Sequence, residues 1–179
     1  MLGFTPVQIY QVFLVLCLPV CLWVAISDLK TMKIPNRSVL ALIAIFVFAG
    51  LLVMPLEAWL WRWANFAVVL AIGFVLNAVA NVGAGDAKFS AAAALFVTAS
   101  HAGFVLPLFA AFLLAAFAAH RLLRAVPAIV RATPDWVSWK RKDFPMGLAL
   151  VGTFVTYLAI RAIPPFDAWV QSLLVSMAT

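Results

Sequence analysis

The sequence predicts an all-α fold: a polytopic membrane bundle of about six transmembrane helices, followed by a C-terminal amphipathic helix at the interface. Hydrophobic residues make up 67% of the 179-residue chain and charged residues only 10%, whereas a soluble domain is about half apolar and about a quarter charged. The apolar residues also fall in long runs, and a spanning helix needs about 20 of them. This composition excludes a water-soluble globular domain and a disordered chain.

Six apolar runs follow one another along the chain, with short polar connections between them. The longer runs reach the length of a spanning helix. The fourth is short and rich in alanine, which suits a half-span or a helix shielded by its neighbours. In order, the runs cover residues 7–27, 38–56, 64–82, 89–99, 104–120 and 146–163.

The tail carries a different pattern from the six runs. Its apolar residues recur at the spacing of an amphipathic helix: Phe166, Trp169, Val170, Leu173, Leu174 and Met177. Because this stretch is too short to span a bilayer, we expect a helix over residues 166–179 that lies in the interface. The predicted organisation is one membrane-embedded domain over residues 1–179, with a basic cytoplasmic loop at residues 120–145.

The basic residues are distributed unevenly between the two sides of the predicted bundle. Of the 12 Lys and Arg residues, ten follow the first, third and fifth runs, and only Arg62 and Arg161 lie on the other side. Cytoplasmic loops carry an excess of Lys and Arg, so the first side is predicted to be cytoplasmic and both termini non-cytoplasmic. The net charge of +6 therefore indicates topology and contact with the lipid bilayer rather than a nucleic-acid partner.

The chain has only six acidic residues, so few side chains are candidates for acid/base catalysis. Loops, basic neighbours or helix capping explain four of these: Glu57, Asp135, Asp143 and Asp167. Asp28 and Asp86 differ, since each follows a helix that runs towards the cytoplasmic face. Acidic residues at membrane depth are costly and often functional. Two at one level can form an acid/base pair, in which one carboxylate takes a proton from water and the other donates one.

Two glycines, Gly83 and Gly85, directly precede the second aspartate. Glycine permits unusual backbone angles and close approach by another chain, and an extended substrate beside a catalytic aspartate needs such room. A second interpretation stays open, because the two aspartates could be interface charges paired with Lys30 and Lys88. Spacing alone does not separate these interpretations.

A stripe of small and polar residues leads towards the second aspartate. Its members recur every four residues: Gly73, Asn77, Asn81 and Gly85. On a helix such a stripe faces the interior of a bundle, and helix packing is the favoured explanation for the asparagines.

Three segments form a recognisable set: Asp28-Leu29-Lys30-Thr31-Met32-Lys33-Ile34-Pro35-Asn36, Gly83-Ala84-Gly85-Asp86-Ala87-Lys88 and Pro145-Met146-Gly147. Together, and in this order, they resemble the motifs of type IV prepilin peptidases, which are membrane aspartic peptidases with a Gly-x-Gly-Asp motif. The resemblance is strongest to the short form that serves Flp-type (tight adherence) pili. Met146 departs from the family's usual Pro-Tyr-Gly.

The resemblance implies a leader peptidase of the bacterial inner membrane. Asp28 and Asp86 would be its catalytic pair at the cytoplasmic boundary. The substrate would be a prepilin with a short basic leader and an apolar helix, cut at the end of the leader after a glycine. Further residues of the motifs would bind substrate or shape the site: Lys30, Pro35, Asn36, Gly83, Gly85, Lys88, Pro145 and Gly147. For the two lysines, contact with a carboxyl group and anchoring to lipid head groups both remain open.

Longer family members also methylate the new pilin N-terminus with S-adenosylmethionine, and they carry a cytoplasmic insertion with paired Cys-x-x-Cys motifs. Here only nine residues separate Asp28 from Ser38, and the chain has no Cys-x-x-Cys. Its two cysteines, Cys17 and Cys21, lie within the first run, where packing explains them. We therefore expect peptidase activity without methyltransferase activity, without a cofactor and without a metal site.

Two other functions remain as alternatives. A presenilin-like intramembrane protease shares the short Gly-x-Gly-Asp motif but not the Ile-Pro-Asn segment. A small proton- or cation-coupled transporter would use the two aspartates as ion sites, and it predicts acidic residues near the middle of the membrane.

Overall fold

The computed structural model describes residues 3–178 and the side chains of residues 3–176. In this range it confirms the all-α prediction. The helices, in order, are α1 (Pro6–Thr31), α2 (Asn36–Ile45), α3 (Leu51–Val53), α4 (Leu56–Ala80), α5 (Ala84–Ala94), α6 (Ala102–Arg124), α7 (Pro127–Ala132), α8 (Met146–Ala162) and α9 (Pro164–Ala178). A π-helical turn, Phe46–Gly50, joins α2 to α3, so that both belong to one rod.

Four helical rods in the described range are long and apolar enough to cross a membrane: Pro6–Thr31, Asn36–Val53, Leu56–Ala80 and Ala99–Arg124. Helices α8 and α9 pass the same test together, but they meet at an angle of 103°. The fourth apolar run contributes to α5, whose 11 residues are too few to span a bilayer core. Each of the six runs thus forms a helix, and four or five of the resulting rods have spanning length.

Helix α1 packs along α8 on one side and against α2 on another. Aromatic rings fill the space between these helices. Phe13 lies edge-on to Phe96, with 4.9 Å between the ring centroids, and Phe96 also contacts Phe46 and Phe154 at 5.5 and 5.3 Å. The two cysteines of α1 are buried free thiols in the same core. The core therefore holds α1 rigidly along most of its length.

Helices α4 and α5 form a tight pair joined by a three-residue connection. Gly73 is the buried residue of α4, and a Cβ there would lie 2.7 Å from the Cβ of Ala87, so only glycine allows this approach. Asn81 ends α4 in the left-handed conformation, and the Asn77 side chain donates to the carbonyl of Val82. Gly73, Asn77 and Asn81 of the stripe therefore pack α4 and terminate it. The expectation of one continuous helical stripe is wrong for Gly85, which lies on α5 because α4 ends at Ala80.

The basic segment at residues 120–145 folds back on the bundle. Its first residues belong to α6, and α7 lies within it. The 3₁₀ turn Val137–Trp139 packs against α1, and the His120 ring stacks on Trp139 at 5.1 Å. Arg121 and Arg124 donate to backbone carbonyls of the same segment at 2.9 Å each. The segment is therefore anchored to the end of the bundle by ring stacking and hydrogen bonds.

Helix α9 crosses the opposite end of the bundle, because it leaves α8 at 103°. Within its apolar stripe Val170 is fully buried, whereas Phe166 and Trp169 are 53% and 51% exposed. Met177, the last member of the stripe, lies outside the described side chains. The angle of 103° between α8 and α9 is compatible with α9 lying in the membrane interface. The interfacial position of α9 stays a prediction.

Candidate active site

Asp28 lies in the last turn of α1, with its side chain buried in the bundle at 4% exposure. The helix ends at Thr31, because Met32 takes the left-handed conformation at φ 56°. The Met32 N–H donates to the Asp28 carbonyl at 2.8 Å. This helix cap and the buried core behind it fix the backbone from which the carboxylate projects.

The Asp28 carboxylate accepts a hydrogen bond from the first turn of α8. The backbone N–H of Gly147 donates to Oδ2 of Asp28 at 2.8 Å. Such N–H groups have no partner within their own helix, and the helix N-terminus favours a negative charge. Pro145 precedes α8 in an extended conformation. A Cβ on Gly147 would lie 2.8 Å from Oδ2 and 3.0 Å from Cγ of Asp28, so the contact requires glycine at this position.

Asp86 is the third residue of α5, and Gly83 is the N-cap of that helix. A Cβ on Gly83 would collide with Oδ2 of Asp86, so this glycine leaves room for the carboxylate. The Asp86 side chain is partly exposed. Within residues 3–176 no hydrogen-bond donor reaches it, which distinguishes Asp86 from Asp28.

The helices that carry the two aspartates, α1 and α5, both pack against α8. The charge of one carboxyl group therefore influences the other. Burial, and after it the negative charge of Asp28, raises the pKa of Asp86 to about 6. Two neighbouring carboxylates resist ionising together, so the pair retains a proton well above the usual pKa of an aspartate. An ionised carboxylate beside a protonated one can deprotonate water and protonate a carbonyl oxygen.

The connection between α1 and α2 lies against the start of α5. Ile34 is buried, and a Cβ on Gly85 would lie 3.3 Å from the Cβ of Ile34. Glycine at position 85 therefore lets the backbone of α5 approach this connection. Pro35 is the N-cap of α2, and its carbonyl accepts a hydrogen bond from Ser38 Oγ at 2.7 Å.

The two lysines of the motifs differ in their contacts. Lys88 donates to Oδ1 of Asn36 at 3.3 Å, and this bond ties α5 to the start of α2. Lys30 is exposed. Among the described side chains, neither lysine forms an ion pair with Asp28 or Asp86. The interpretation of the aspartates as charges paired with these lysines therefore has no support in the contacts.

Sequence reasoning missed the contacts that join the three motifs. The N–H of Gly147 as the donor to Asp28 was not predicted, because a backbone donor leaves no mark in the residue type. Ile34 and Ser38 were also missed. A signal for Ser38 was present, since a serine three residues after Pro35 can bond back to its carbonyl at a helix start.

A comparison with known protein families finds a match that includes two of the three motif segments. A model described as the type IV leader peptidase family matches residues 15–120. That range is more than half of the chain and includes both aspartates, but it ends before Pro145 and Gly147. No curated protein and no solved structure matches the chain.

Proposed function

Because the chain belongs to the type IV leader peptidase family, we propose that it is an aspartic endopeptidase whose catalytic pair is Asp28 and Asp86. As a family member with several helices of spanning length, it is a membrane-embedded peptidase of prepilins. The observation that carries the catalytic assignment is the meeting of three helix ends. There Asp28 is buried, and burial together with the charge of Asp28 raises the pKa of Asp86 to about 6.

We assign different roles to the two carboxyl groups, and their hydrogen bonds support this assignment. Asp28 starts the reaction ionised, because the Gly147 N–H donates to Oδ2 and a donor favours the charged form of a carboxyl group. Asp86 carries the proton, because the described residues supply no donor to it and the Asp28 charge opposes its ionisation. This division keeps one base and one acid in the site.

Water is the nucleophile in the proposed reaction. Asp28 takes one proton from water, the water oxygen bonds to the carbonyl carbon of the scissile peptide, and Asp86 protonates the carbonyl oxygen. The neutral diol then collapses and the C–N bond breaks. The proton on Asp28 passes to the leaving amine, and one diol hydroxyl returns a proton to Asp86. The pair therefore ends in the state in which it began.

We assign the aspartate end to the cytoplasmic face of the bacterial inner membrane. Ten of the 12 Lys and Arg residues lie in the helix ends and connections on this side, as the positive-inside rule requires of a cytoplasmic face. A substrate with its short basic leader in the cytoplasm and its apolar helix in the bilayer brings the scissile bond to this level. We expect an Flp-type prepilin, cut at the end of the leader after a glycine.

We also propose that the chain lacks the methyltransferase activity of longer family members. Residues 32–35 are the whole connection between α1 and α2, so the cytoplasmic insertion of those proteins has no counterpart there. Transfer of a methyl group from S-adenosylmethionine to a pilin N-terminus by the purified chain would contradict this.

Co-expression with a prepilin tests the catalytic pair. Asp28→Asn and Asp86→Asn keep the shape of the side chain but remove the base or the shared proton, so each should slow leader removal by about 10²–10⁴-fold. Asp135→Asn and Asp143→Asn are matched controls, because these acids are exposed in the basic segment. Their rates should stay within about twofold of the wild-type rate. Normal trimming by either variant of the pair would show that the pair is misassigned.

A further inference from the structure

A second group of buried polar side chains lies at the end of the bundle away from the aspartates. Tyr10 and Asp28 are both on α1, 18 positions apart, which is about 27 Å at 1.5 Å per residue. This separation is close to the thickness of the hydrocarbon core of a bilayer. We call the group the distal polar cluster and define it by Tyr10, Arg62, His101, Tyr157, Arg161 and Asp167.

The hydroxyl groups of the cluster satisfy one another. The Tyr157 hydroxyl shares hydrogen bonds with Tyr10 Oη at 3.1 Å and with His101 Nδ1 at 2.8 Å. Arg62 donates from Nη2 to Thr98 Oγ1 at 2.9 Å and to Tyr10 Oη at 3.4 Å. The guanidinium of Arg161 lies over the Tyr10 ring, 5.0 Å from its centroid.

The charges of the cluster do not balance. It contains the guanidinium groups of Arg62 and Arg161 and one carboxylate, Asp167, which forms an ion pair with Arg161. Glu57, the acidic residue nearest to Arg62 along the chain, is exposed and forms no ion pair in the part of the chain that the structure describes. One positive charge in this partly buried cluster therefore has no carboxylate partner among the described residues, and such a charge is costly without an anion beside it.

Each of the two guanidinium groups also has one buried nitrogen without a partner among the described residues. Arg161 is 5% exposed in its side chain, and its Nε is buried without a partner among the described residues. Nη1 of Arg62 is likewise buried and unpartnered in this range. Buried polar groups of this kind require a ligand or a water. Water would satisfy the N–H groups but not the charge, whereas an anion satisfies both.

An apolar groove is lined by residues that follow two members of the cluster closely along the chain. It lies between α6 and α9, has a volume of about 410 Å³, and is lined by Gly103, Phe104, Pro107, Leu108, Leu173 and Leu174. On α6 its lining begins at Gly103, two residues after His101, which ends the 3₁₀ turn before that helix. On α9 the lining residues follow Asp167 by less than two turns. A molecule with an anionic head and an apolar chain matches both parts.

From this charge imbalance, the unpartnered guanidinium nitrogens and the groove, we propose that the distal polar cluster binds the phosphate of a phospholipid. The lipid belongs to the leaflet opposite the aspartate pair. Arg62 and Arg161 contact the phosphate, and an acyl chain lies in the groove between α6 and α9. The site is separate from the proposed catalytic pair and does not depend on the assignment of Asp28 and Asp86.

Lipid binding by the whole chain tests this proposal. The chain is reconstituted in nanodiscs that contain phosphatidylglycerol, and the lipids that it retains are counted by native mass spectrometry. Thermal unfolding in detergent is then followed with added phosphatidylglycerol, with diacylglycerol and with inorganic phosphate. We expect one retained phosphatidylglycerol per chain and an unfolding temperature that rises with phosphatidylglycerol but not with the other two.

Variants of Arg62 test the contact itself. Arg62→Gln keeps a donor for Thr98 but removes the charge, so phosphatidylglycerol affinity should fall about tenfold or more. Arg62→Lys should retain more of the affinity than Arg62→Gln does. Arg131→Gln removes an exposed arginine on the aspartate side and is the matched control, with affinity equal to that of the wild type.

Each contrary result overturns a stated part of the proposal. Equal binding of diacylglycerol would show that the groove acts without the phosphate contact. Equal binding of inorganic phosphate would show a free-anion site rather than a lipid site. Wild-type affinity in Arg62→Gln would remove the cluster from the binding site, and the wild-type comparison of the three ligands stands even where a variant folds poorly.

Discussion

The two ends of the bundle bury polar groups in different ways. At the aspartate end, Asp28 accepts one backbone hydrogen bond, and Asp86 receives none from the described residues. At the distal end, the Tyr157 hydroxyl has partners within 3.1 Å on two sides, and the unpartnered groups are guanidinium N–H groups. Unsatisfied carboxyl groups favour proton chemistry, whereas unsatisfied guanidinium groups favour an anion. The chemical identity of the unpartnered atoms therefore separates the proposed catalytic site from the proposed binding site.

The same helix connects these two ends. Helix α1 carries Tyr10 at one end and Asp28 at the other, and its middle is held in the aromatic core. A change at one end should therefore leave the other nearly unaffected, because sites this far apart without shared partners contribute independently. Variants at the aspartate end should change cleavage, and variants at the distal end should change stability or lipid binding.

After the two aspartate variants themselves, the largest expected effect comes from Gly147→Ala at the aspartate end. The added Cβ would lie 2.8 Å from Oδ2 of Asp28 and would displace the carboxylate from its N–H donor. A displacement of about 1 Å costs about 100-fold in rate when it misplaces a catalytic group. Prepilin cleavage by the purified variant should fall by about this factor.

Gly152→Ala is the matched control on the same helix. Its Cβ would meet the Phe112 ring of α6, away from both aspartates. Overpacking of this kind reduces stability, so the unfolding temperature should fall while the cleavage rate of the folded variant stays within about twofold. Equal losses of cleavage in the two variants would mean that position 147 acts through packing and not through Asp28.

At the distal end, Tyr157→Phe should have the next largest effect. It removes the hydroxyl that His101 and Tyr10 share, and each loses a buried partner. A buried group left without its partner costs about 1–3 kcal/mol. The variant should unfold at a lower temperature and still cleave prepilin at the wild-type rate per folded molecule. A cleavage rate that fell with unchanged stability would show that the two ends are coupled.

The raised pKa of Asp86 predicts a smaller, pH-dependent effect on the rate. Because burial and the Asp28 charge raise this pKa to about 6, the protonated fraction of Asp86 grows from about a tenth at pH 7 to about a half at pH 6. If Asp86 is the acid, cleavage should rise roughly fivefold over this interval in single-turnover assays. A rate that stays flat or falls from pH 7 to pH 6 would contradict this role.

The raised pKa of Asp86 also predicts how the stability of the folded state changes with pH. Between the ordinary aspartate pKa and about 6 the folded state binds more protons at Asp86 than the unfolded state does, so stability falls as pH rises through this window. Asp86→Asn removes the dependence. The unfolding temperature of the variant, relative to wild type, should therefore be higher at pH 8 than at pH 4. An equal difference at both pH values would show that the Asp86 pKa is not raised.

The sequence predicted the helical fold and named the residues of the proposed catalytic pair, but it did not predict the contacts around them. Acid scarcity singled out Asp28 and Asp86, and run length and composition predicted the helical membrane fold, because residue types alone carry these signals. The distal polar cluster was missed, since Tyr10, His101 and Tyr157 are scattered residues without local spacing. Only the packing of α1, α8 and the 3₁₀ turn before α6 brings such residues together. The donor role of Gly147 was invisible for the same reason.

Lys88 offers the smallest and sharpest test of the aspartate end. Lys88→Ala removes the 3.3 Å bond to Asn36, and an exposed bond of this kind contributes at most about 1 kcal/mol. Lys30→Ala removes the same charge from an exposed position without a described ion pair. Cleavage should fall about two- to threefold in Lys88→Ala and stay unchanged in Lys30→Ala. Equal losses would assign the effect to the positive charge of this face, because the tie between α5 and α2 is broken in only one of the two variants.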